Sequence, residues 1–249
     1  MDPYKILALD ETGKASPSHL SDVFLLSGMI ISEDSLRSLE VHIKAIKQKF
    51  FNDPNIVFHC RDMLRKKGIF SILSDPAIEK GFWEDFIAII DNPEISIMMA
   101  ITDKRKTSKV GWNKIAILRK SYSKVVEGFA GAYLSNGYKG KIVAESDPGQ
   151  DKFLLETHNR LQSFGIPSQG ITGAEYRGRL TSVSLVNKLN LDVHIQTADN
   201  LAIMGRLFYN LKINKIDVSS LSNRDRLFKD LIDRKLANPI NPSAFEILV

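Results

Sequence analysis

Acidic residues stand where two apolar runs of the chain end. Asp10 and Glu11 follow the run at 4–9, and Glu145 follows the run at 141–144. In α/β sheets a side chain at a strand end is held by a rigid element and still reaches solvent, which is where sites form. Strand alternation puts Asp10 on the face of Ile6 and Ala8 and Glu11 on the face of Leu7 and Leu9, so the two need not serve one site. The stretch Asp10-Glu11-Thr12-Gly13 equally suits a polar turn. Asp199 is different. Its helical neighbours at i−4, i+3 and i+4 are Ile195, Ala202 and Ile203, all apolar, so it is predicted to project from the face that packs on a sheet. A buried carboxylate without compensation costs on the order of several kcal/mol. A metal ion shared with the strand-end acids compensates it, and so does an arginine such as Arg206, Arg177 or Arg179. Asp10, Glu145 and Asp199 together make an oxygen-only donor set that suits Mg²⁺ or Mn²⁺ rather than zinc. Paired divalent ions held by carboxylates are a device for phosphodiester hydrolysis.

Charge and composition bound the alternatives. The chain has 249 residues, with 34 Lys+Arg against 29 Asp+Glu, a formal charge of +5. Its 43% hydrophobic content is that of a folded chain and excludes disorder for most of it. The basic excess is concentrated in two places. One holds Lys104, Arg105, Lys106 and Lys109, and the other holds Arg61, Arg65, Lys66 and Lys67. Each reads either as a solvated face or as a contact for phosphate. Beside the second cluster, His59 and Asp62 either orient a substrate phosphate and shuttle a proton, or start a helix around a buried, hydrogen-bonded histidine. No apolar run approaches the ~20 residues that span a bilayer, so no membrane association is expected. With one cysteine, Cys60, there is no internal disulfide and no multi-cysteine zinc site. That, and a start without a secretory pattern, points to a cytoplasmic setting. Neither GxxxxGK[ST] nor GxGxxG occurs, and there is no GxSxG elbow.

The elements that must position these groups follow an α/β order. Strands are predicted at 4–9, 23–31, 95–102, 141–144 and 180–186. Helices are predicted at 36–51 with Ser32 as N-cap and Ser35 as the other candidate, at 78–90 after Pro76, at 109–135 as one long segment ended by the turn Asn136-Gly137, and at 151–164, 194–211 and 224–236. With no repeat and no linker, the chain reads as one domain over 1–249. It carries a helical insertion at about 33–94 and a C-terminal helical extension at about 213–249, whose tail contains Pro239 and Pro242.

Three short motifs resemble those of the domain-of-unknown-function 3800 family. They are Leu9-Asp10-Glu11-Thr12-Gly13, then Phe58-His59-Cys60-Arg61-Asp62-Met63 with Gly68 and Phe70, then Gln196-Thr197-Ala198-Asp199-Asn200. The resemblance covers about 4–208. Thr12 stands where the family commonly has Ser. Glu145 stands where it usually has Asp, with Asp147 as a substitute. The resemblance implies a ribonuclease H-like fold, a five-stranded mixed sheet flanked by helices built from the five strands above. It also places Asp10, Glu145 and Asp199 where such enzymes carry metal-binding acids. The expectation is therefore a metal-dependent nuclease. In it Asp10, Glu145 and Asp199 bind two Mg²⁺ or Mn²⁺ ions, Glu11 assists, and Asp147 and Gln196 support them. His59, Asp62, Arg61, Arg65, Lys104, Arg105 and Lys106 contact a nucleic-acid partner. The alternatives are a non-catalytic module that binds nucleic acid or protein, and a hydrolase of small phosphorylated nucleotides.

Overall fold

The structure is a computed structural model that describes residues 4–135, 137–187, 191–238 and 243–249. Its strands are β1 (Tyr4–Thr12), β2 (Val23–Ser32), β3 (Ser96–Asp103), β4 (Lys139–Glu145), β5 (Leu180–Val186) and β6 (Ala244–Leu248). They form one mixed sheet in the order β5-β4-β1-β2-β3-β6. β2 is antiparallel to both neighbours, and every other pairing is parallel. The carboxyl ends of β1, β3, β4, β5 and β6 therefore share one edge of the sheet.

Alternation along the strands builds two cores. Ile6, Ala8, Leu25, Met29 and Val143 face one side. There they meet the helices α1 (Glu33–Phe51), α3 (Pro76–Ile90), α8 (Val193–Lys212) and α9 (Asn223–Ala237). Leu7, Leu9, Phe24, Leu26 and Ala144 face the other side, against α5 (Lys114–Gly128), α6 (Asp151–Phe164) and α7 (Gly173–Arg179). The short helices α2 (Cys60–Leu64) and α4 (Lys104–Thr107) lie near the strand ends. Among the described residues no helix is long and apolar enough to cross a membrane.

Helix starts follow the local chemistry. Ser32 caps α1 by accepting from Ser35 N, Asp75 caps α3 at Pro76, and Asn113 caps α5.

Four expectations are corrected. The sheet has six strands rather than five, because the C-terminal extension is not wholly helical: after α9 the chain returns to pair β6 beside β3. Pro239 and Pro242 lie outside the described residues. The long helix at 109–135 is interrupted. Gly111, at φ +67°, ends a short 3₁₀ turn before Asn113 starts α5, and a π-helical turn replaces the α-helix at Phe129–Tyr133. Of the predicted turn that ends it, Gly137 has φ +84° and Asn136 lies outside the described residues. Finally, β1 does not end at Leu9. Asp10, Glu11 and Thr12 stay in the ladder opposite Ser27, Leu26 and Leu25, and the turn comes at Gly13 (φ +87°). A side chain at Gly13 would also lie 2.8 Å from the Val23 carbonyl oxygen. The two acids are thus strand residues whose directions the pleat fixes.

Candidate functional site

The register decides which acids can meet. β1 and β4 pair in parallel with Ala8 opposite Val143 and Leu9 opposite Ala144. One step further along both strands, Asp10 lies beside Glu145, on the face of Ala8 and Val143. Neighbouring strands are ~4.8 Å apart, so these two carboxylates are lateral neighbours. α8 packs over β1 and β2 on that same face. Ser27, the cross-strand partner of Asp10, ties the layers together. Its hydroxyl lies 3.2 Å from the Asp10 carbonyl and 2.9 Å from that of Ala198, the residue before Asp199. Asp10 and Asp199 are each 4% exposed, and Glu145 is half-buried.

Glu11 points the other way, as alternation requires. Its carboxylate accepts from Gln150 Nε2 at 2.8 Å, and the same nitrogen donates to Asp147 Oδ2 at 2.9 Å. Asp151 accepts from the Asp147 amide at 2.8 Å. The buried Tyr122 phenol reports this crowding. It is pushed well above the usual tyrosine range, first by burial and then by Glu11, Asp151, Asp147 and Asp10. The hydrogen bond from Gln150 holds Asp147 below the usual carboxylate range. The sheet edge therefore carries two acidic groups on opposite faces: Asp10, Glu145 and Asp199 on one, Glu11, Asp147 and Asp151 on the other.

Asp199 is buried as its apolar neighbours predict, and the three candidate arginines are engaged elsewhere or unengaged. Arg177 donates to the Gln162 carbonyl and Arg179 to that of Ala130. Among the described residues, Arg206 makes no hydrogen bond or ion pair. Instead Asp199 Oδ2 accepts from the Cys60 amide at 2.9 Å, with His59 Nδ1 3.7 Å away. One turn earlier, Gln196 Oε1 accepts from the Phe58 amide at 2.9 Å and from Lys47 Nζ at 2.8 Å. Two of the motifs read from the sequence thus bind each other, because Gln196 and Asp199 on α8 hold the backbone of 58–60. The histidine expectation is corrected: His59 does start α2, accepting from the Arg61 amide, but its side chain is 41% exposed rather than buried.

The donor set, carboxylate oxygens throughout, has the chemistry of a hard divalent site. Yet among the described residues no three of His, Cys, Asp and Glu stand close enough together to hold a metal ion. The turn of Asp199 onto the Cys60 amide is one cause visible in the geometry.

The two basic clusters differ. Lys104 is buried and donates to the carbonyls of Ser16 and His19, both at 3.1 Å. Arg105 donates to Tyr209 Oη at 2.6 Å and Asn214 Oδ1 at 2.9 Å, and both Arg105 and Lys106 lie against buried Asp103. These cations organise the loop ends. Arg61 and Arg65 are exposed, and their side chains make no hydrogen bond or ion pair among the described residues. Asp62 is half-buried beside them. Arg61→Ala and Arg65→Ala are each expected to lower the slope of log affinity against log salt by about 1 for any nucleic acid bound, without changing the melting point. Lys104→Ala should instead cost about 1–3 kcal/mol of stability by leaving two carbonyls unmatched. Salt titrations and melts of the three variants separate these roles. Equal salt slopes for all three would contradict the division.

Lys47 is the polar group that sequence reasoning missed. It is buried, and its ammonium is lowered to about 8 by burial. Lys235, which donates to the carbonyls of Asn92 and Ile95, is likewise lowered to about 8 by burial. A lysine whose folded pKa lies below its unfolded value binds fewer protons in the folded state. Stability should therefore rise as pH increases from about 8 toward 10, where the unfolded chain still holds those protons. Denaturation midpoints at pH 8 and 9.5 test this. The gain should shrink in Lys47→Met, and an undiminished gain there would contradict the assignment to Lys47.

Comparison with protein-family models and with curated proteins gave no match for this chain.

Proposed function

We propose that the chain is a divalent-metal-dependent nuclease of ribonuclease H-like fold, related to the domain-of-unknown-function 3800 family. The observation that carries this reading is the register. Asp10 and Glu145 follow the last paired residues of adjacent parallel strands, on the sheet face that α8 covers, and Asp199 is buried on α8 next to Ala198, whose carbonyl shares the Ser27 hydroxyl with that of Asp10. Further support comes from the sheet: the five strands that the fold implies lie consecutively as β5-β4-β1-β2-β3, with β6 added outside β3.

In this reading Asp10, Glu145 and Asp199 would hold the ions. Bound divalent ions supply an activated water and charge neutralisation at the leaving oxygen. The chain's own contribution is positional. β1 and β4 carry two of the acids directly after the last pair of their ladder, and Ser27 ties β1 to α8. His59, Arg61 and Arg65 stand at the exposed rim where a phosphate backbone would approach. Glu11, with Gln150, Asp147 and Asp151, forms the support on the opposite face.

The test is cleavage of single- and double-stranded DNA and RNA with Mg²⁺, with Mn²⁺ and with chelator. Cleavage that needs the metal and is lost in Glu145→Gln supports the reading, and metal-independent cleavage contradicts it. A second reading is a nucleic-acid-binding module without catalysis, favoured by the absence of three convergent ligands among the described residues. That reading expects salt-dependent binding, unaffected by chelator, with no product.

A further inference from the structure

A cavity of about 280 Å³ opens at the ends of β1 and β2, between α2, α8 and the first turn of α9. Thr12, two residues after Asp10, lines one end. Cys60, whose amide holds Asp199, lines another part. The wall is apolar, formed by Leu25, Leu64, Ile203 and Leu207. The rim is cationic. Arg206 lies on it and, among the described residues, donates no hydrogen bond and faces no carboxylate within ion-pair distance. Arg224 lies there too, with Nε and Nη2 on Asp225 Oδ1 at 3.1 and 3.0 Å, so the one carboxylate of the lining is already neutralised by its neighbour.

An apolar slot with an uncommitted guanidinium at its mouth matches a flat ring carrying a phosphate. The guanidinium pairs with the phosphate in a fork geometry, and the apolar wall takes the ring face. We propose that this cavity is a nucleotide subsite that takes one unpaired nucleobase against its wall and that nucleotide's phosphate on Arg206, about two turns along α8 from Asp199. A base inside a duplex cannot enter such a slot, so the substrate class is single-stranded nucleic acid or a strand end. The inference rests on the nuclease reading for its place in catalysis, but the binding itself needs no metal.

The experiment is therefore done in chelator. Binding of adenosine, guanosine, cytidine and uridine 5′-monophosphates and of inorganic phosphate is measured on the whole chain by calorimetry. At least one nucleoside monophosphate should bind at least about tenfold more tightly than inorganic phosphate. Arg206→Ala should weaken it about tenfold or more. Ala202→Phe, which fills the cavity from α8, should abolish it. Cys60, the single cysteine, gives a second readout: its alkylation should slow when the monophosphate is bound to wild type, and less in Arg206→Ala. Melting curves establish that each variant is folded, and the Arg206 and alkylation arms suffice if the filled variant is not. Three results overturn the subsite: no monophosphate binding, equal binding by Arg206→Ala, or inorganic phosphate binding as well as the nucleotides. Metal-dependent cleavage without this binding removes the subsite and leaves the nuclease. This binding without any cleavage keeps the subsite on a non-catalytic module.

Discussion

Asp199→Asn is expected to leave the fold in place and to lower metal-dependent cleavage by more than about a hundredfold. Even groups outside a metal's direct ligands cost about 10–100-fold when removed, so a ligand should cost more. The structural side of the prediction is specific. Asparagine keeps an oxygen that can accept from the Cys60 amide, so the contact between α8 and the 58–60 segment survives. What is lost is the negative charge. The Cys60 amide and the His59 imidazole face this carboxylate, and asparagine keeps the acceptor for the amide, so the variant should melt close to wild type. Retained cleavage in a folded Asp199→Asn protein would remove Asp199 from the site. A variant that fails to fold would show that Asp199 is a structural acceptor first. Asp199→Ala, which removes the acceptor as well, should lose an additional ~1–3 kcal/mol for the orphaned Cys60 amide.

Phe82→Ala is expected to have the largest effect on stability, about 3–5 kcal/mol. Phe82 is fully buried at the centre of an aromatic cluster. Its ring centroid lies 4.9 Å from Trp83, 5.5 Å from Phe50 and 5.6 Å from both Phe51 and Phe58. Truncation opens a cavity lined by rigid rings, which relax little into it. At roughly 2–4 °C per kcal/mol for a chain of this size, the melting point should fall by about 10 °C. Phe58 belongs to the cluster and sits two residues before Cys60, so the loosening should reach the segment held by Gln196 and Asp199. Binding at the acidic edge should weaken along with stability. A loss below about 1 kcal/mol would show that α3 is not integral to the core on that face.

Much of the acidic edge was legible because it depends on local periodicity. Ile195, Ala202 and Ile203 announced a buried Asp199, and strand alternation separated Asp10 from Glu11 before any pairing was known. Lys47 carried the same kind of signal. It falls four residues after Ile43, on the apolar stripe of α1, yet the surrounding lysines mask it as part of a solvated face. The β1–β4 register that brings the ends carrying Asp10 and Glu145 together was not legible from the residue pattern, because it joins segments more than 130 residues apart, and only the family resemblance grouped the two acids. The contrast between Lys104 and Arg61 was hidden for a similar reason, since each sits in a basic run and only the 16–19 loop, brought back by the chain's return into β2, buries one of them. β6 is a five-residue edge strand beyond a helix, and its partner β3 lies far back in sequence. The break before α5 was readable from Gly111 and Asn113. The apolar spacing on either side of it is nearly continuous, which argues for one helix when read alone.

The central claim is that Asp10, Glu145 and Asp199 form one cation site. Calorimetric titration of Mn²⁺ into wild type, Asp10→Asn and Asp199→Asn tests it without knowledge of the substrate. Wild type, run with a saturating non-cleavable oligonucleotide so that phosphate can complete the coordination, is expected to bind Mn²⁺, and both variants are expected to lose that binding. Wild-type binding that survives in either variant, or no wild-type binding with the oligonucleotide present, would contradict it.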